Sequence, residues 1–141
     1  MAMRISTAAR NAACDAVVDL VDSGSGTAKL QLWSGSLPAQ VGGTPSGLLL
    51  AEFDLPNPCF GSASNGVATA NVGSISPTQG EAAAGAGTMV GFVRVVDRAG
   101  QTVWENDSVG TSGTQIVLNT TTISAGADVS VTSWTVTMPA S

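Results

Sequence analysis

Hydrophobic and polar positions fall into their clearest pattern at residues 86–107, AGTMVGFVRVVDRAGQTVWEND. Val90, Phe92, Arg94 and Val96 share one face of an extended run; Met89, Gly91, Val93 and Val95 share the other. β-branched and aromatic residues on both faces predict a central strand covered on both sides. Asp97-Arg98-Ala99-Gly100 then suits a type I turn, with Gly100 free to take the left-handed conformation of a bulge. Residues 101–106 form the return strand, in which Thr102 and Trp104 alternate with Val103 and Glu105.

The rest of the chain is organised around this hairpin. Residues 1–7 read as an extended arm, and Ser6 or Thr7 as the N-cap of a helix over 7–22. Ala9, Ala13, Ala16, Val17, Leu20 and Val21 recur at three- and four-residue spacing and form its expected apolar face. Arg10, Asn11, Asp15, Asp19 and Asp22 fall mostly on the other side. Gly24 suits the left-handed position after the helix. From residue 27 the period changes to two. Ala28, Leu30 and Leu32 alternate with Lys29, Gln31 and Trp33 in a half-buried strand.

A Gly- and Pro-rich loop covers 34–46. The next strand spans 47–55, with Leu49, Ala51, Phe53 and Leu55 on one side, and ends at Pro56 and Pro58. Asn65-Gly66 marks a turn before a strand at 67–72. Residues 75–87 read as a loop. After the hairpin, residues 115–119 form a strand with Ile116 and Leu118 on one face, and 125–128 a turn. In the last strand, 128–138, Val129 and Val131 share one phase while Trp134, Val136 and Met138 share the other. A bulge near Thr132 and Ser133 reconciles the two. The elements predict a mainly β chain: a two-sheet antiparallel β-sandwich or jelly roll with one N-terminal α-helix. A single domain is expected over 1–141, with a β body at 28–138.

Composition narrows the function. Charged residues make up 11% of the 141, against roughly 25% in average globular proteins. The net charge is −5, and the five cations (Arg4, Arg10, Lys29, Arg94, Arg98) are scattered. No basic cluster is present to neutralise phosphates, so neither a nucleic-acid nor a membrane partner is expected. No apolar run reaches the ~18 residues of a membrane span. Asn11, Asp15 and Asp19 interrupt any secretory-signal centre, so synthesis in the cytoplasm is expected.

Histidine is absent, which removes Ser-His-Asp and Cys-His catalysis and Cys-His zinc sites. GEAAAGAGT lacks the Lys-Ser/Thr of a phosphate-binding loop and precedes a strand. Paired carboxylates remain: Glu52 with Asp54, Glu105 with Asp107, and Asp15, Asp19 and Asp22 along the helix. A glycosidase requires two carboxylates across a cleft; these groups read instead as solvated faces. No catalytic residue, cofactor or metal is therefore expected. Cys14 and Cys59 read as buried free thiols, small hydrophobes in effect. Trp33, Trp104 and Trp134 read first as core. Trp33 and Trp104 are alternatively interface anchors, Arg94 a cross-strand or interface partner, and Arg4 and Ile5 the part of the arm that could reach a neighbour.

Three segments together carry a resemblance: RISTAARNAACDAVVDLVDSGSGTAKLQLWSGSLPA, LLLAEFDLPNPCFGSASNGVATAN, and GFVRVVDRAGQTVWENDSVGTSGTQIVLNTTTISAGADVSVTSWTVTMPA. In order and texture the chain resembles small structural proteins of tailed bacteriophages, the cement or decoration proteins beside the major capsid protein. That resemblance implies a β-rich body, a homo-oligomer (dimer or trimer) and a non-enzymatic role binding the major capsid protein. It also implies a place on the capsid surface of the virion. A tail or head–tail connector component, and a carbohydrate- or cell-surface-binding β-sandwich, are the alternatives.

Overall fold

Ser6 starts the first element: its hydroxyl accepts a hydrogen bond from the Ala9 amide at 3.1 Å. The computed structural model of the chain describes residues 3 to 139, so Met1 and Ala2 of the expected arm lie outside the described residues. Helix α1 runs Thr7–Asp19 and tightens into a 3-10 turn at Leu20–Asp22. Strands follow at β1 Lys29–Trp33, β2 Leu49–Asp54, β3 Val67–Thr69, β4 Thr78–Gln79, β5 Thr88–Met89 and β6 Phe92–Val96. The remainder are β7 Thr102–Asn106, β8 Val109–Gly110, β9 Ile116–Leu118, β10 Thr122–Ile123, β11 Asp128–Val129 and β12 Val131–Thr137.

These strands build a sandwich-like, mainly β fold with one N-terminal helix, and the sheets do not close into a barrel. One sheet has the order β2-β1-β6-β7; the other has β3-β12-β9-β8. Two-stranded ribbons β10-β5 and β11-β4 complete it. Pairing is antiparallel except between β8 and β9. Strand β6 lies inside its sheet, and four of its five residues are buried, as its two apolar faces predict. The turn after it has Gly100 at φ +88°, while Asp97 Oδ1 accepts from the Ala99 and Gln101 amides at 2.9 Å.

The inner faces meet through an aromatic seam. Trp104 on β7, Trp134 on β12 and Phe60 between them lie with ring centroids 4.8–6.2 Å apart. Leu30, Leu32, Phe53, Val93 and Val95 from one sheet pack into the same cluster as Ile116, Leu118 and Val136 from the other. On β12 the register shifts between Val131 and Ser133, so the expected bulge sits at Thr132. Both phases of apolar residue thereby reach the core. A second shift, at the start of β2, was not foreseen. Leu50 is the extra residue: it is buried, and Leu49 pairs with Trp33 outside the expected inward row. The expected loop at 75–87 contains β4 and a 3-10 turn at Ala82–Ala84. The strand expected at 67–72 stops at Thr69.

The main correction concerns α1. Its buried residues are Cys14 and Val18, with Val21 in the 3-10 turn, whereas Ala9, Ala13 and Ala16 are exposed and Leu20 is 52% exposed. The helix docks by a mixed face, on which buried Cys14, Val18 and Val21 alternate with polar side chains that bond to the body. Asn11 Oδ1 accepts from the Gly66 amide at 2.7 Å, Asp15 Oδ1 from Ala63 at 2.7 Å and Asp22 Oδ1 from Cys59 at 3.2 Å. Arg10 Nε donates to the Met138 carbonyl at 3.0 Å, and the Cys14 thiol to Val136 at 3.4 Å. Asp15 and Asp22 thus do not form a solvated face; Asp19 does. Asn65 at φ +52° and Gly66 at φ +76° make the tight turn that α1 grips. A side chain on Gly66 would meet the Arg10 guanidinium at 2.7 Å.

Magnitudes explain the orientation. A hydrogen bond to a charged group contributes about 1.5–3 kcal/mol, and an orphaned buried amide costs a similar amount. Burying an alanine methyl gains only about 0.8 kcal/mol. Three backbone amides in the 57–66 loop, together with the burial of Val18 and Val21 at about 1.5–3 kcal/mol each, outweigh three alanines. Asp15→Ala is therefore expected to lower stability by about 1–3 kcal/mol, and Ala13→Ser to change it by less than about 0.5 kcal/mol. Urea unfolding checks both, and equal midpoints for the two variants would contradict the orientation.

Candidate functional site

The outer face of the β2-β1-β6-β7 sheet carries most of the chain's organised polar chemistry. Cross-strand register puts Glu52, Gln31, Arg94 and Glu105 in one row across all four strands. At one end the Gln31 amide donates to Glu52 Oε2 at 2.8 Å. At the other, Arg94 Nε and Nη2 both reach Glu105 Oε2, at 2.7 and 2.6 Å. Side-chain exposure is 11% for Arg94 and 3% for Glu105, so this is a buried, charge-assisted pair. Arg94 Nη2 also donates to the Gly43 carbonyl at 2.6 Å, which ties the 34–48 loop down over the sheet.

Trp33 lies beside the row. Its indole N–H donates to Gln31 Oε1 at 3.2 Å, its ring stacks with Phe92 at 6.5 Å, and the Arg94 guanidinium carbon sits 5.8 Å from its centroid. Phe92 is fully buried here, outside the main core cluster.

The row ends at the free edge of β2 in an open pocket of about 310 Å3. Glu52, Asp54 and Leu55 line one bank; Ser74, Ser76 and Thr78 line the other. Lys29 sits between the carboxylates, paired with Asp54 and 3.9 Å from Glu52. The hydrogen bond to Asp54 raises the Lys29 pKa. The two acids therefore share a cleft, as the glycosidase reading required, but a lysine bridges them. The arrangement suits holding a polar or cationic group.

Of the five residues expected at a partner interface, the structure brings two together. Trp33 and Arg94 share the outer face. Trp104 lies on the opposite face of the same sheet, half-buried in the aromatic seam. Arg4 and Ile5 precede α1, Arg4 exposed and Ile5 half-buried. Sequence reasoning missed Gln31, the centre of the row. Its alternation with Leu30 and Leu32 showed an outward position, but nothing local indicated that Glu52 and Arg94 would flank it.

Cys14 and Cys59 are free and buried. Burial raises the Cys14 pKa. Burial, with the Asp22 charge adding to it, pushes the Cys59 thiol from 9.0 up to about 12. Among the described residues no cluster of three or more His, Cys, Asp or Glu could hold a metal ion, and no helix is long and apolar enough to cross a membrane. No protein-family model, curated protein or solved structure matches the chain.

Two outcomes follow from this chemistry. Arg94→Ala leaves Glu105 buried without its partner and is expected to cost about 3–5 kcal/mol, while the double replacement Arg94→Met with Glu105→Leu costs far less. Denaturant unfolding of the three proteins measures this, and additive losses would contradict it. For Cys59, between about pH 9 and 12 the unfolded thiol loses its proton while the folded one keeps it. Stability is then full below about pH 9 and falls as pH rises through that window. Cys59→Ala should flatten the decline; an unchanged slope in unfolding free energy against pH would contradict the assignment.

Proposed function

We propose that this chain is a non-enzymatic structural protein of a tailed-phage virion, made in the host bacterial cytoplasm. On this reading it sits on the capsid surface, binds the major capsid protein and copies of itself, and cements or decorates the shell. The observation that carries the reading is the outward stripe of α1. Ala9, Ala13, Ala16 and Leu20 follow one another at four-, three- and four-residue spacing, all exposed, opposite the face that grips the body. Exposed apolar positions at that spacing form a seam for close approach of another surface. Further support comes from the buried Arg94–Glu105 pair and the Lys29–Asp54 pair, which spend their charge internally. The absence of histidine and the resemblance of the chain's order and texture to cement proteins agree with it.

The test is co-sedimentation with phage shells that lack the protein. Binding at fixed stoichiometry and a higher shell-disruption temperature are expected. Ala13→Asp should abolish binding while leaving the unfolding temperature within about 2 °C. Failure to bind intact shells, with presence in whole particles, would move the protein to the tail or connector. Absence from every particle would overturn a virion role.

A further inference from the structure

The free edge of β2 has a geometry of its own. The Leu55 amide donates to the Ala28 carbonyl at 2.9 Å, so Ala28 and Leu55 form a hydrogen-bonded pair. Antiparallel pairs alternate between bonded and non-bonded types. Lys29–Asp54 and Gln31–Glu52 are therefore non-bonded pairs, and the backbone N–H and C=O groups of Glu52 and Asp54 point away from β1. Leu50, the bulge residue, also has its carbonyl outward, where it accepts from the Glu81 amide at 2.7 Å. For Glu52 and Asp54 the outward side is the pocket. Beyond it lies the segment carrying Ser74, Ser76 and Thr78. The pocket between the two banks has a volume equal to about ten waters at ~30 Å3 each. A strand pairing with both Glu52 and Asp54 spans about 7 Å.

Acidic side chains on an edge ordinarily keep other strands away. Here Lys29 already offsets one of the two, and a basic strand would turn the remaining repulsion into attraction. Four of the five cations are spent within the fold. Arg10 bonds to Met138, Lys29 pairs with Asp54, Arg94 pairs with Glu105, and Arg98 donates to the Gly24 carbonyl at 3.3 Å. Arg4 makes no polar contact among the described residues. It is exposed, in a segment outside helix and strand, next to Met3, which is 78% exposed.

We propose that the pocket at the β2 edge is a strand-acceptor slot that takes the Met3–Arg4–Ile5 segment of a second copy, Arg4 lying against Glu52 and Asp54. Main-chain bonds to Glu52 and Asp54 supply affinity, and the charge pair fixes the register. Exchanged reciprocally, arm into slot makes a two-fold dimer; passed head to tail it makes a ring where the rotation closes and a filament where it does not. The slot rests on the self-association part of the function proposed above. Because it is tested on the isolated protein without shells, it stands or fails separately from shell binding.

The experiment is sedimentation velocity over a concentration series for the full chain and three variants. Arg4→Glu and Asp54→Arg are each expected to weaken association by about tenfold or more, and the double variant carrying both to restore it. Asp54 has a 73% exposed side chain, so its replacement leaves the core untouched. Hydrogen exchange provides a readout independent of charge: the Glu52 and Asp54 amides should be protected in the oligomer and exchange freely in the dissociated Arg4→Glu variant. A wild-type protein that stays monomeric, an Arg4→Glu or Asp54→Arg variant that associates like wild type, or Glu52 and Asp54 amides that stay unprotected in the oligomer would each overturn the slot.

Discussion

The arrangement of the molecule depends on the grip of α1 on the 57–66 loop. That loop connects the two sheets and cannot satisfy all its own amides. Asn11, Asp15 and Asp22 supply the missing acceptors from one side of a helix, at 2.7–3.2 Å. Arg10 and Cys14 bond from the same element to carbonyls of the last strand region. A helix held this way is fixed in rotation as well as position, because a turn of 100° per residue would release every acceptor. Its apolar stripe faces outward as a consequence. The grip also holds Phe60 in place, and with it the seam between Trp104 and Trp134. Among the described residues the Trp134 indole N–H has no hydrogen-bond partner.

The two faces of the β2-β1-β6-β7 sheet divide the work. The inner face is apolar and closes the sandwich. The outer face carries a hydrogen-bonded row that binds the 34–48 loop at one end and opens into the edge pocket at the other. The surfaces left over are apolar or an unfilled sheet edge: the α1 stripe, Leu37, Val41 and Leu48 on or beside the loop, and the rim of β2.

Local chemistry made much of the fold legible. Asp97 and Gly100 marked the hairpin turn, and Asn65-Gly66 marked the turn that α1 grips. The slip in phase between Val131 and Trp134 placed a bulge near Thr132 and Ser133, and the register shifts between Val131 and Ser133. The face of α1 was not legible, because alanine periodicity reports apolarity without reporting how little alanine burial yields. Its polar residues looked solvated because their partners are amides about 37 to 55 residues away in sequence. Of the candidate site, Trp33 and Arg94 were recognised singly. The row that joins them to Gln31 and Glu52 depends on strand order, which residues 27–33 and 89–96 do not encode locally. The pocket is likewise a product of the edge position of β2.

The orientation of α1 is the claim on which the rest depends, and thiol labelling of an Ala13→Cys variant tests it most directly. Both native thiols are buried, so in the folded wild type neither should react with a maleimide. In dilute solution the new thiol at position 13 is predicted to react at close to the rate of an unfolded control, with one label per chain. A position-13 thiol as protected as Cys14, in a protein that still folds, would place the alanine stripe inside and contradict the account.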